Sequence, residues 1–234
     1  MKPTDLHYEN CMAFIALNPI FKNLDEEHLT SLLECFSFKT WEKNMEFFYG
    51  DKTFHNFYII MSGRLKMYQV HPVNDREFTV FLLSKDDIFD VISLLDGERH
   101  SMNFETLDEV KVLCARSGAM RQWIEDHPKI NKTLLPYLAR RMRMLESNLT
   151  DNVLSDIPTR LAKLLLGNID QSSNELELIN DLSHKEIASL VGSTRAVVNR
   201  HIQNFKDAGL LEVHRKHTDV TDLNQLLKKV SSAY

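Results

Sequence analysis

The sequence is short of the groups that most often carry covalent or metal chemistry. Three cysteines, Cys11, Cys35 and Cys114, stand far apart in 234 residues, with no Cys-x-x-Cys pair. That spacing suits free, packed thiols in a reducing compartment rather than a disulfide framework. An iron–sulfur cluster needs several cysteine ligands close together, so it is excluded on the same ground. No apolar run approaches the length of a bilayer span. The N-terminal MKPTDLHYEN lacks the apolar core of a signal peptide, so a cytoplasmic location without membrane contact is expected. Nor is there a nucleophile paired with a base, a metal-ligand motif or a phosphate-binding loop, and catalysis is not expected.

What charge there is lies unevenly. The chain carries a net −5, yet from residue 183 onward eight Lys and Arg face five Asp and Glu, a net of +3 that leaves −8 for the rest. An acidic body with a basic C-terminal part is the asymmetry expected when one domain meets phosphates and the other does not.

The most informative stretch is 182–209, LSHKEIASLVGSTRAVVNRHIQNFKDAG. Ser183 with Glu186 three residues on is a capping box, which predicts a helix start. Ile187 and Leu190 give that helix an apolar edge, and Gly192 breaks it where a sharp turn needs a left-handed residue. Ser193 or Thr194 can cap a second helix. Val198, Ile202 and Phe205 share one face of it and Arg195, Asn199 and Gln203 another, with Arg200 close by. Gly209 ends it. Arg bonds bidentately to guanine, and Asn or Gln to adenine, in the major groove. Periodicity alone fits equally a pair of solvated amphipathic helices. LLEVHRKHTDVT, at 210–221, alternates as a strand pair around Arg215–His217, and a helix-turn-helix followed by a hairpin is a winged helix.

KEIASLVGSTRAVVNRHIQNFKDAGLLEV resembles the DNA-binding segment of bacterial Crp/Fnr-type transcription regulators. In that family the turn leads into Ser/Thr-Arg-Glu-Thr/Val-Val-x-Arg; here it reads Thr194-Arg195-Ala196-Val197-Val198-Asn199-Arg200. Both arginines match. The family's Glu, which reads a cytosine, is replaced by Ala196, so the operator is expected to differ from the standard one. The resemblance implies base reading by Arg195, Asn199, Arg200 and Gln203. It implies phosphate contact by Ser193, Thr194, Arg215 and Lys216.

Between about residues 38 and 115 short strand-like runs appear, FYIIMSG, RLKMYQV, REFTVFLLS and VKVLCA. Turn signals separate them, at Gly50-Asp51, Ser62-Gly63, His71 to Asn74 and Lys85 to Asp87. Many short strands suggest an antiparallel sandwich or roll. The segment FFYGDKTFHNFYIIMSGRLKMYQV resembles the family's jelly-roll sensor domain. In cyclic-nucleotide-binding members a Gly-Glu pair and an Arg-Ser pair hold the ribose and the cyclic phosphate. Aligned on Leu94-Leu95-Asp96-Gly97-Glu98, those pairs become Asp90-Val91 and His100-Ser101, with Arg99 one position away. Val91 cannot bond a ribose and Asp90 repels a phosphate, so cyclic AMP is not the expected effector. Asp90, Val91, Arg99, His100 and Ser101 are the candidate effector pocket for an unidentified signal.

His100 could ligate heme or sense pH; a hydrogen-bonded loop histidine is the plainer reading. REFTVFLLSKDDIF is similar to a heme-based carbon monoxide sensor of the family, but Ile92 stands where that sensor has its iron-binding histidine. No cofactor is therefore expected. His214 and His217 could bind zinc, yet no further Cys or His lies nearby, and no metal is assigned.

Elsewhere, 19–36 reads as a helical start capped by Asp25, and Ser117 opens a short helix that ends near Pro128. In NKTLLPYLARRMRMLESNLTDNVL, Leu135, Leu138, Met142, Leu145 and Leu149 are spaced three, four, three, four, a heptad seam, with Arg140, Arg141 and Arg143 off it. Pro136 should sit near its start. The resemblance implies a parallel homodimer through this helix. Asp156 should cap the next helix with Pro158 in its first turn. ELELI can be a strand, and 223–230 a last helix.

The expected fold is α+β. It comprises a β jelly-roll sensor domain (1–127), a dimerisation or linker helix (128–154) and a winged helix-turn-helix (155–234). The expected protein is a homodimeric regulator on near-palindromic promoter sites, controlled at the roll or active without an effector. Double-stranded DNA and, by resemblance, RNA polymerase are its partners. The competing reading is a heme- or small-ligand-binding sensor dimer whose C-terminal domain contacts protein.

Overall fold

The computed structural model describes residues 1–47, 55–98, 101–170, 175–214 and 217–231. It opens with α1 (Tyr8–Leu17) and α2 (Glu26–Glu34). Strands β1 (Phe36–Trp41), β2 (Glu46–Phe47), β3 (Asn56–Ser62), β4 (Leu65–Val70), β5 (Glu77–Leu83) and β6 (Ile88–Phe89) follow. Next come α3 (Val91–Asp96), β7 (Asn103–Thr106), β8 (Val110–Arg116), α4 (Ser117–Asp126) and α5 (Asn131–Leu154). The C-terminal part holds α6 (Ile157–Leu166), α7 (His184–Leu190), α8 (Arg195–Asp207), β9 (Leu211–Val213), β10 (Thr218–Val220) and α9 (Leu223–Ser231). Among the described residues no helix is long and apolar enough to cross a membrane.

Two four-stranded sheets form, in the orders β1-β8-β3-β6 and β2-β7-β4-β5. The chain divides into two compact units, Met1–Met67 with Leu82–Arg143, and Tyr68–Phe81 with Met144–Tyr234. The end of the β4–β5 hairpin belongs with the C-terminal unit, and α5 passes from one unit to the other after Arg143.

In the first unit β3 and β8 pair antiparallel, Phe57 with Ala115, Tyr58 with Cys114, Ile59 with Leu113 and Ile60 with Val112. All eight are buried, because both faces of these strands are covered. Alternation sorts them. Phe57, Ile59, Leu113 and Ala115 join the core that Ile15, Leu32, Leu33, Met120 and Trp123 build from α1, α2 and α4. Tyr58 faces the other way, into an aromatic cluster. Its ring stacks on Phe89 at 4.5 Å and lies 5.3 Å from Trp41, and Phe89 lies 5.3 Å from Phe104. Burial, with Cys114 and Asp90 beside it, raises the Tyr58 pKa and keeps its phenol protonated. Asp25 caps α2 as expected, accepting from the His28 amide at 3.0 Å.

Gly63 turns β3 into β4 at φ +84°, and a Cβ there would sit 2.3 Å from the Glu109 carbonyl oxygen. The neighbouring Arg64 is forked onto Asp108, with Nε to Oδ2 at 2.6 Å. Gly63→Ala is therefore expected to lose about 2 kcal/mol or more through backbone strain and the clash. Chemical denaturation followed by tryptophan fluorescence checks this, since Trp41 and Trp123 both lie in this unit.

Pro136 lies in the second turn of α5 (Asn131–Leu154), near its start as expected. ELELI forms only isolated bridges, Ile169 with Leu176 and Glu175 with Asp219. The expected turn at Gly50-Asp51 lies outside the described residues. The cap at Asp156 is as expected: its carboxylate accepts from the Thr159 amide at 2.9 Å, and this hydroxyl and amide pair holds the Asp156 pKa below the usual carboxylate value.

Candidate nucleic-acid interface

The second unit carries α8, the helix expected from sequence to read bases. The Glu186 amide donates to Ser183 Oγ at 3.2 Å, and the Ser183 amide donates to Glu186 Oε2 at 2.6 Å, so the capping box closes both ways. Ile187, Ala188 and Ser189 bury one side of α7. Gly192 then turns the chain at φ +64°, where a Cβ would come within 2.6 Å of Asn152 Oδ1. The Thr194 hydroxyl accepts from the Val197 amide at 3.4 Å and opens α8. At the far end Gly209, at φ +68°, stops it, and the Leu210 amide returns to the Phe205 carbonyl at 2.9 Å.

Val198, Ile202 and Phe205 are buried along α8, which fixes the rotation of the helix. Arg195, Asn199, Arg200 and Gln203 consequently face outward and are exposed. Gln203 Nε2 donates to Asp207 Oδ1 at 2.7 Å. Ala196, also exposed, leaves a smooth gap beside the Arg195–Asn199 ridge. His201 is half-buried on the flank. Burial, then the Arg200 charge, pushes its pKa below the ordinary histidine value, so the cationic groups of this face are the two arginines.

Of the four residues expected to contact phosphate, Thr194 is exposed at the helix N-terminus, where backbone amides and the helix dipole favour an anion. Ser193 is buried in the turn, its amide bonded to the Ala188 carbonyl at 2.8 Å, so its hydroxyl offers little to a phosphate. Arg215 and Lys216 lie outside the described residues.

The β4–β5 hairpin adds contacts that no sequence pattern announces. Thr79 Oγ1 and Ser189 Oγ share a buried hydrogen bond of 2.6 Å across 110 residues. Lys185 Nζ meets Glu77 Oε1 at 2.7 Å, and the Arg76 guanidinium donates to the Gly192 carbonyl. Thus the hairpin end grips α7 and the turn that aims α8. No periodicity or motif could link segments so far apart.

Along α5 the heptad positions are largely uncovered. Leu135, Met142 and Leu149 are 60%, 62% and 68% exposed, and Leu145 is exposed too, while Leu138 is half-buried against the first unit's core. Of the candidate effector residues, Asp90 is buried in a left-handed conformation at φ +58° and Val91 is buried behind it. Ser101 is exposed; Arg99 and His100 lie outside the described residues. The structure therefore does not bring these five together as one described pocket.

Residues 38–127 match the cyclic nucleotide-binding domain family, and residues 159–229 match the Crp-like helix-turn-helix domain. The chain is 33% identical over 176 residues to a CRP-like cAMP-activated global transcriptional regulator of Mycobacterium tuberculosis, covering 74% of this chain and 78% of that one. It is 26% identical over 212 residues to the global nitrogen regulator of a Synechocystis species, covering 87% and 91%. Among solved structures, the c-di-GMP-responsive global regulator CLP of Xanthomonas campestris has the same fold. It superposes with a TM-score of 0.72 at 16% identity, over 85% of this chain and all of that one.

Proposed function

Because the chain belongs to the Crp/Fnr family of transcription regulators and carries its helix-turn-helix DNA-binding domain, we propose that it works as a homodimer. Two copies of α8 read a near-palindromic promoter site. The single observation that carries this reading is the outward face of α8. Arg195, Asn199 and Arg200 are exposed there and make no side-chain hydrogen bond or ion pair among the described residues. Donors left without protein partners on the rim of a fixed helix are available to base edges. The uncovered seam of Leu135, Met142, Leu145 and Leu149 supports pairing through α5, which would set the two reading helices about one DNA turn, roughly 34 Å, apart.

The effector differs from the cyclic AMP named for the mycobacterial relative. Where the family pattern has a Gly-Glu pair, this chain has a buried carboxylate, Asp90, and a buried Val91. Val91 offers no acceptor to a ribose hydroxyl, and the Asp90 carboxylate repels a cyclic phosphate.

The test is selection of genomic fragments by the purified protein without ligand, followed by sequencing. A near-palindromic site is expected, unchanged by cyclic AMP. Recovery of no common sequence, with or without cell extract, would sink the reading. On the selected site, Arg195→Ala should cost about 1–3 kcal/mol and relax base choice at one position of each half-site. Equal loss on random DNA would reassign Arg195 to the backbone.

A further inference from the structure

The wing hairpin puts two histidines and two carboxylates on one face. In the β9–β10 ladder Thr218 stands opposite Val213, Asp219 opposite Glu212 and Val220 opposite Leu211. The His214 amide donates to the His217 carbonyl at 2.8 Å, which carries the register one pair further. With a side-chain period of two, Leu211 and Val220 turn inward and are buried, so Glu212, His214, His217 and Asp219 share the opposite face.

On that face the donor atoms converge. His214 Nε2 lies 3.3 Å, and His217 Nε2 3.5 Å, from the same Asp219 oxygen, Oδ2. The two imidazoles stack at 4.4 Å. One ligand atom each from His214, His217 and Asp219 falls within 4.8 Å of the others. Glu212 Oε1 lies 3.7 Å from His214 Nε2, beside the group but not in it. Tetrahedral Zn2+, with bonds of about 2.0–2.1 Å, spaces its donor atoms about 3.4 Å apart. The two histidine–aspartate separations are therefore already edges of such a tetrahedron. A second observation points the same way. Asp219 Oδ1 is buried and accepts no hydrogen bond among the described residues, although the side chain as a whole is 30% exposed, so this carboxylate keeps capacity for a cation.

We propose that the wing binds a divalent transition-metal ion of the Zn2+ class. His214, His217 and Asp219 are its protein ligands, and solvent takes the fourth position. Neutral imidazole and carboxylate without thiolate suit Zn2+, Ni2+ or Cu2+, not Ca2+ or Mg2+. The ion ties the two strands together and adds positive charge to the wing. The site stands on its own geometry; its influence on DNA rests on the function proposed above.

The experiment uses the full chain stripped by chelator. Zn2+ is titrated against a chromogenic competitor, and Co2+ against its visible spectrum, for the parent protein, His217→Ala and Asp219→Asn. The expected result is one tight equivalent per chain, with the intense visible bands of tetrahedral Co2+. Each variant, with unchanged circular dichroism, should bind at least about 100-fold more weakly and lose those bands, since even outer partners of a metal ligand are worth about 10–100-fold. Parent-like affinity in both variants, or no tight equivalent in the parent, overturns the site. DNA affinity is then measured with and without the equivalent of Zn2+. If no DNA sequence is bound in any state, the function reading fails while the titration still decides the metal site.

Discussion

Arg141→Met is expected to remove about 3 kcal/mol from the stability of the N-terminal unit, which urea unfolding followed by Trp41 and Trp123 will measure. Arg141 leaves α5 to pair with Asp87, and both side chains are mostly buried, 16% and 21% exposed. Its Nε also donates to Tyr137 Oη at 2.9 Å, and that hydroxyl bridges the backbone of Ile88, accepting from its amide at 3.2 Å. Removing the cation leaves the mostly buried Asp87 without its counter-charge at neutral pH, a loss of about 3–5 kcal/mol when burial is complete and somewhat less here. The pH dependence distinguishes this from lost packing. Burial raises the Asp87 pKa, and Arg141 opposes that rise. Without Arg141 the folded-state pKa climbs further above the unfolded value. The folded chain then holds a proton that the unfolded chain has released, and stability falls as pH rises through that window. The defect should accordingly be smallest in acid, where Asp87 is protonated in both states, and full at neutral pH. Arg141→Met with Asp87→Leu should recover most of it. A loss independent of pH would mean that the arginine's aliphatic stem, not its charge, matters.

Met142→Glu with Leu149→Glu should leave each protomer folded but abolish pairing. Both side chains are more than 60% exposed in the protomer, so the substitution takes little from its core. In a paired state they would face their symmetry mates, and two carboxylates per chain would be brought together. Once two reading helices no longer share one body, the second half-site becomes a separate binding event. Affinity for the full palindrome should drop by about 10²–10⁴-fold, while affinity for an isolated half-site is unchanged. Sedimentation and titration on both DNA lengths check this together. A parent protein that sediments as a monomer at micromolar concentration, or a double variant that remains paired, would remove α5 as the interface.

What could be read from the sequence was what is local. Ser183, Glu186, Gly192 and Thr194 specify α7, the turn and α8 within a dozen residues, and each plays its expected part. The apolar runs of β3 and β8 were equally visible, because strands covered on both faces are mostly apolar, with Lys111 the one exposed residue inside β8. Two-residue β2 and β6 carry no period at all and could not be found. ELELI alternates as a strand should, yet lacks a full neighbouring strand and yields only bridges. Long-range matches were the blind spot. Nothing near Thr79 announces Ser189. His214 and His217 were visible as a pair, but Asp219 joins them only once the hairpin register is known.

The pairing of β1 with β8 has a consequence for how the chain is made. Phe36 waits for Ala115, and Trp41 for Val110, before the first sheet can close. At about 5–20 residues per second, a ribosome needs roughly 4–16 s to deliver the missing strand. During that interval β1 has an open edge, and the apolar side chains of α1 and α2 have little to cover them. Within the winged helix α7 packs on α8 and β9 on β10, pairs close in sequence that can form as they emerge, whereas α6 waits for α9. Slow translation upstream of residue 110 should therefore burden chaperones more than the same delay between residues 184 and 220.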